Sequence, residues 1–567
     1  MNLKNNAFAR QVSNQTPKRK SRRRRLYLES LEPRIVFAAS PCAGYQSYDS
    51  IKTELDTLVN RYPGYASIES IGRSVGGKDL WVMNISDNVA SSEADEPAVF
   101  YSGGVHGNEP DGARLSMDFI KELLASSAVP NSNIKSIVDK TDIYIMPVAN
   151  PDGYAACSRT NKTGVNLNRS FTDYSDDATQ SQNQLTVELN TSSIESSAPE
   201  AAALMRFSKA HNFVLTADLH ANGGTAVVNY PYDLTAGVPS GSDAKSPDDA
   251  LFKYISKVYS SRDSQMWDAK TGSSQLGTAY LVNGKKVSSL TVNTTFPQGI
   301  TNGSDWFAAA GTFQDWQYRY MGTNAVTVEL RGVANYGTSD ELFLANRNSM
   351  FAYLQTAHVG VTGKVADATS GRPVFASVTV EAVEAVSTPT VSVGKHFVFT
   401  NTDDGQFVRM LPPAIYNLTI TVSAPGYNDF TQTKTGIAIG ATITSTVPPS
   451  TSIAATPTLV GLGTYSLIPK TINATRVASG PSAAPLIASA VTSGTTSTAQ
   501  LPSAKQETKT KSSAVKADNR SIDPNSTLYA QAVDSVFAES DLTSVDRKTP
   551  TLRAGVSPLK LGLLSAI

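Results

Sequence analysis

From about residue 40 to residue 359, short apolar runs alternate with stretches that repeat apolar residues at helical spacing. That alternation confines the chain to an α/β architecture before any single residue is considered. The strand candidates are Leu80–Ile85, Ala98–Tyr101, Ile143–Val148, Phe213–Leu219 and Ala325–Leu330. Ile51, Leu55, Leu58 and Val59 recur at helical intervals behind Ser47 and Asp49, which suit a helix N-terminus. Leu115, Phe119, Leu123 and Leu124 form a second apolar stripe, and Ala201 through Phe207 belong to another helix. These stripes read as core. The expected fold over residues 41–358 is therefore a mixed, mostly parallel sheet flanked by helices.

A chain of 567 residues exceeds one ordinary core, and its texture changes twice. After residue 359, Thr362–Val365, Ala376–Val383, Gln406–Leu411 and Tyr416–Ser423 alternate as the strands of a small β-sandwich do, giving a second domain over 359–448. Residues 449–567 are rich in Ser, Thr, Ala and Pro, with too few large apolar residues to offset chain entropy, and read as a linker or disordered tail.

Lys plus Arg and Asp plus Glu both number 49, for a net charge of +0, which leaves no electrostatic case for nucleic acid as a partner. The basic run Lys18 to Arg25 precedes Leu31-Glu32-Pro33-Arg34 and the small residues Ala38-Ala39-Ser40. This arrangement resembles an N-terminal motif of exported bacterial proteins. Residues 1–40 are read as a targeting segment, and the protein as secreted or held at the cell surface. No apolar run is long enough to span a bilayer. Cys42 and Cys157, the two cysteines, are too few for a disulfide scaffold and have no metal-type spacing; pairing outside the cell is open to them.

The chemistry concentrates at His106-Gly107-Asn108-Glu109, on a small-residue turn between the apolar run ending at Tyr101 and a helix from Pro110. Imidazole and carboxylate suit a catalytic Zn²⁺ that keeps one position open. Alone, the pair is equally a loop histidine beside a glutamate capping the next helix. His220 closes the run Phe213–Leu219, at a strand's C-terminal end, where open α/β sheets bind ligands. Glu329 ends Asn324–Leu330, where a buried carboxylate is costly without a partner or a role. Arg159 and Asn168-Arg169 lie between, and arginine suits the bidentate grip of a carboxylate. His211, His358 and His396 lack such settings and read as surface or packing residues.

In this order His106-x-x-Glu109, Asn150-Pro151-Asp152-Gly153, Arg159, Asn168-Arg169, His220 and Glu329 resemble the zinc metallocarboxypeptidases over roughly Tyr45 to Leu354. The resemblance implies one Zn²⁺ on His106, Glu109 and His220, with Glu329 as general base and then acid. Arg159 would stabilise the oxyanion, and Asn168 and Arg169 would hold the substrate's C-terminal carboxylate. Asn229-Tyr230-Pro231-Tyr232-Asp233, Pro297–Gly303 and Gln314-Asp315-Trp316 are similar to the N/E branch of that family, in which a transthyretin-like domain follows the catalytic one. That branch implies that Asp233 and Gln314 line the side-chain pocket and favour C-terminal Lys or Arg. The expected activity is a monomeric, secreted carboxypeptidase acting on peptide or protein C-termini. The alternatives are a weakly active or silent peptide-binding relative, or a zinc amidase acting on cell-wall peptides. Two positions depart from the family. Phe307 replaces a substrate-capping tyrosine, and Asn166 replaces an aspartate beside a zinc-bound histidine, a change of a kind that costs about 10–100-fold in metal affinity or activity.

Overall fold

The computed structural model describes residues 42–91, 93–172, 192–221, 226–232, 244–267, 281–282, 285–286, 296–306, 308–330, 339–385, 392–440 and 457–470. Asp233 and Phe307 lie outside the described residues, as do 1–41. A sheet of eight strands runs in the order β1-β2-β4-β3-β5-β10-β6-β9. These are β1 Ala66–Arg73, β2 Asp79–Ile85, β3 Ala98–Gly103, β4 Asp142–Met146, β5 Leu215–His220, β6 Val227–Tyr230, β9 Ile300–Asn302 and β10 Asn324–Glu329; β7 Leu281–Val282 and β8 Lys285–Lys286 pair with each other. The central strands β4, β3, β5 and β10 are mutually parallel, and antiparallel pairs join β1, β2 and β6 to them.

The centre of the sheet forms from the apolar runs because both of its faces are covered, and every residue of β5 is buried. In helix Tyr48–Arg61, Ser47 caps the N-terminus by accepting from Ser50 N, while Ile51, Leu55 and Leu58 face inward. Helix Pro110–Ser127 starts on proline, which has no N–H to orphan, and buries Leu115, Phe119, Leu123 and Leu124 completely. The strands that escape the sequence pattern are peripheral. β1, at the sheet's edge, buries only Ala66 among its residues and so carries no apolar run.

Two further sheets follow from Gly360. One has the order β14-β11-β17 and the other β13-β12-β15-β16. Their strands are β11 Gly360–Asp367, β12 Ser377–Glu384, β13 Ser392–Phe399, β14 Gln406–Met410, β15 Ile415–Ser423, β16 Phe430–Ala438 and β17 Val460–Leu467. Val361, Val365, Phe407 and Tyr465 from the first sheet pack with Val378, Val380, Leu418 and Ile420 from the second. β17 corrects the expectation that everything after residue 448 is a linker or tail, because it pairs in parallel with β11. Its glycines and serine mask a set of inward-facing residues, Leu462, Tyr465 and Leu467. A register shift opposite Thr362 and Lys364 lengthens one step of that alternation, so the period is broken in the sequence.

The sandwich is built into the rest of the chain. Arg409 of β14 forms a fully buried ion pair with Asp248, which precedes helix Asp249–Ser260. His396 of β13 stacks on Tyr318 and donates from Nε2 to the Tyr318 carbonyl at 3.1 Å. Asn212 Nδ2 donates to Phe399 O at 2.9 Å, and Gly394 N to Pro247 O at 2.8 Å.

Candidate active site

The C-terminal ends of β3, β4, β5 and β10 meet along one edge, and each is followed by or ends in a residue singled out above. β5 and β10 lie in register, so His220 and Glu329 are direct cross-strand neighbours. β3 runs into the turn at Gly104, whose φ of 62° is a left-handed conformation that glycine adopts without cost. That turn carries His106 and Glu109. A side chain at Gly107 would collide with the backbone of Gly153 and Tyr154, so the turn is seated directly on helix Pro151–Ala156. The Asn150-Pro151-Asp152-Gly153 run builds that seat. Asn150 caps the helix by accepting from Gly153 N at 2.9 Å, and Pro151 opens it.

Glu109 stands at the N-cap of helix Pro110–Ser127, yet its side chain makes no capping hydrogen bond. Its carboxylate turns toward the two histidines. His106 Nδ1 is 3.0 Å from Oε1 and His220 Nδ1 is 3.1 Å from Oε2. The loop-histidine and helix-cap reading is thereby replaced. One ligand-type atom from each of His106, Glu109 and His220 lies within 4.8 Å of the others, and all three residues are buried. Both imidazoles present Nδ1 to the same point, while their Nε2 atoms have acceptors of their own: Asn166 Oδ1 at 3.2 Å for His106 and Asp218 Oδ2 at 2.9 Å for His220. Two imidazole nitrogens, one carboxylate and oriented outer nitrogens fit a catalytic zinc.

Burial would raise the Glu109 carboxyl, but the hydrogen bonds and charge of His106 and His220 overcome it and hold the group well below the usual carboxylate range. At Glu329 burial prevails over the opposing charges of His220 and Arg159, Glu109 and Asp218 add to it, and the carboxyl is pushed up to about 7. A carboxyl poised there can exchange a proton near neutrality.

Arg159, Asn168, Arg169, Gln314 and Glu329 line one cleft with His106 and His220. Arg159 Nη1 donates to Glu109 Oε1 at 2.8 Å, which anchors the guanidinium beside the histidines. The Asn168 carboxamide oxygen accepts from Phe313 N at 2.9 Å, tying the Asn168-Arg169 segment to the helix Phe313–Trp316 that carries Gln314. Cys42 and Cys157 form a disulfide across 115 residues, two positions before Arg159, and Cys42 Sγ lies 3.6 Å from Gly107 O. His358 and His396 are buried packing residues; His211 is half-buried against Tyr144, Phe207 and Phe213.

Polar residues in and behind the cleft escape the sequence reading. Asn229 and Asp315 line its wall, and Asp218 lies beneath His220. Asp218 had a signal, because residues two apart on a strand share a face and a carboxylate in an otherwise apolar strand needs a partner. Asn229 and Asp315 belong to the runs Asn229–Asp233 and Gln314–Trp316 but have no local pattern that marks them as lining.

The sequence profile of the zinc carboxypeptidase family matches residues 51–352. Carboxypeptidase D of Mus musculus is 34% identical over 405 residues, which cover 69% of this chain and 26% of that protein. The catalytic chain of carboxypeptidase N of Homo sapiens is 31% identical over 418 residues, covering 69% of this chain and 82% of that one. The chain thus spans about a quarter of the length of the carboxypeptidase D relatives it matches. Among solved structures, carboxypeptidase A from Helicoverpa armigera aligns with a TM-score of 0.39 at 16% identity, over 54% of this chain and 72% of that one. The profile covers more than half of the chain and carries the residues that meet at the sheet edge, and on that ground the protein belongs to the zinc carboxypeptidase family.

Proposed function

We propose that this protein is an exported zinc carboxypeptidase that hydrolyses the terminal peptide bond of peptides or proteins, with a pocket suited to C-terminal Lys or Arg. The observation that carries this reading is the meeting of His106, Glu109 and His220 with Glu329 and two arginines in one cleft at the sheet's C-terminal edge. His106, Glu109 and His220 would hold the zinc, whose contribution when bound is Lewis acidity toward a carbonyl and a water. Glu329 takes the proton from the attacking water and returns it to the leaving amine. Arg159 faces the oxyanion that develops on the substrate carbonyl. Asn168 and Arg169 grip the free carboxylate, which restricts attack to the last bond.

The pocket wall supports the basic preference. Asn229 Oδ1, Gln314 Oε1 and Asp315 Oδ1 are buried acceptors without a hydrogen-bond partner among the described residues. Buried acceptors left unpaired are costly, and a guanidinium or ammonium from the substrate would satisfy them. Export is supported by the Cys42–Cys157 disulfide, since such bonds persist in oxidising compartments. A transthyretin-like identity for the sandwich rests on its two-sheet arrangement and its place after the catalytic domain.

The deciding assay uses zinc-loaded protein on peptides ending in Arg, Lys, Leu or Phe, beside a Glu329→Gln variant. Glu329→Gln should lower kcat by about 10²–10⁴-fold with zinc content unchanged. A wild-type protein that holds zinc and releases no C-terminal residue refutes the reading.

A further inference from the structure

We propose that Asp218 is the carboxylate that orients and polarises the metal site, acting on His220 in place of the charge that Asn166 does not supply to His106. The inference rests on the reading of His106, Glu109 and His220 as metal ligands. Asp218 and His220 stand two apart on β5 and so project from the same face. Asp218 Oδ2 lies 2.9 Å from His220 Nε2, while His220 Nδ1 faces Glu109. That contact sets the tautomer. With the proton on Nε2 and directed at Asp218, the Nδ1 lone pair is left for a metal.

The carboxylate is itself fixed. Ser102 is the cross-strand neighbour of Asp218 on β3, and its hydroxyl donates to Asp218 Oδ1 at 2.6 Å. Ser102, Asp218 and His220 are 1%, 1% and 2% exposed, so water competes for none of these bonds. A second group approaches the same nitrogen, since Asn168 Nδ2 is 3.4 Å from His220 Nε2. It is a donor facing a donor, and the shorter contact to the carboxylate prevails. The other histidine has weaker support. Asn166 Oδ1 meets His106 Nε2 at 3.2 Å, is uncharged, and also accepts from Asn168 N at 3.0 Å. Among the described residues the site therefore has its carboxylate outer partner under the second histidine.

The test measures zinc dissociation constants by competition with a chromophoric chelator, together with the melting temperature of the metal-free proteins. Asp218→Asn keeps the shape and should weaken zinc binding by about 10–100-fold, with the metal-free melting temperature unchanged. Ser102→Ala should weaken it less, in the same direction. Adding Asn166→Asp to Asp218→Asn should restore most of the lost affinity, because a carboxylate again backs one imidazole. Asp218→Asn binding zinc within about twofold of wild type overturns the proposal, and so does an Asp218→Asn, Asn166→Asp double variant that stays as weak as the single one. Wild-type protein that binds no zinc, or whose Glu109→Ala variant binds it as well, overturns the ligand assignment itself, which separates the two failures.

Discussion

Replacing His396 by glutamine should make the fold less sensitive to acid, and the size of the effect follows from where the ring sits. His396 is buried between the sandwich and the catalytic domain, stacked on Tyr318 with ring centroids 4.1 Å apart. Burial pushes its imidazole down to about 4; Asp248 pulls it upward, Arg409 opposes that, and the Tyr318 carbonyl favours the protonated ring only weakly. In the unfolded chain the same ring titrates near 6.5. Between those values the unfolded state binds the proton and the folded state does not, so stability falls as pH falls through the window. It is unaffected above it, and the loss is complete below it. With about 1.4 kcal/mol for each tenfold change in proton affinity, the full loss is about 3 kcal/mol.

In His396→Gln the carboxamide can still donate to the Tyr318 carbonyl but takes up no proton. Lost ring stacking should cost about 1 kcal/mol at pH 8. The two stability curves should therefore cross between about pH 5 and pH 6, with the variant the more stable on the acid side. Urea denaturation of both proteins at several pH values from 8 to 4.5 measures this. The difference between them cancels contributions common to both, including His358, which burial also pushes down to about 4. A stability difference that does not change with pH refutes the reasoning. The consequence reaches the pocket, since Tyr318 lies in the π-helical turn Gln317–Met321 that directly follows the helix bearing Gln314.

Three other outcomes are expected. Arg409→Met leaves Asp248 buried without its cation and should cost about 3–5 kcal/mol in denaturant melts, most of it recovered when Asp248→Leu is added. Gly107→Ala drives a methyl group into the backbone of Gly153 and Tyr154, and should show as lost zinc binding and a lowered Tm. Gln314→Ala removes an acceptor worth about 1.5–3 kcal/mol to a charged side chain. It should reduce kcat/KM for peptides ending in Arg by about 10–100-fold and leave those ending in Leu little changed.

How far the sequence reaches depends on how local each signal is. β5 and β10 were legible because central parallel strands are buried and mostly apolar, and His220 and Glu329 stand out at their ends as polar residues closing those runs. His106 and Glu109 were legible as a pair, but their common orientation was not, since it depends on His220 arriving from a strand 111 residues away. β17 was lost because half of its residues are glycine, serine or threonine facing outward, and its buried positions, Leu462, Tyr465 and Leu467, are unevenly spaced. The pocket acceptor Asn229 comes from a different segment than the adjacent Gln314 and Asp315, and only folding shows that they share a wall.

The Cys42–Cys157 link gives the protein a redox history. It fastens the segment at Cys42, which lies against Gly107 of the turn bearing His106 and Glu109, to the loop bearing Arg159, beside the Arg159–Glu109 hydrogen bond. Material made in a reducing cytosol would possess every side chain of the cleft and still lack the covalent tie behind the loop that bears Arg159. Preparations from the two kinds of compartment should therefore be treated as different enzymes until their thiol content has been measured.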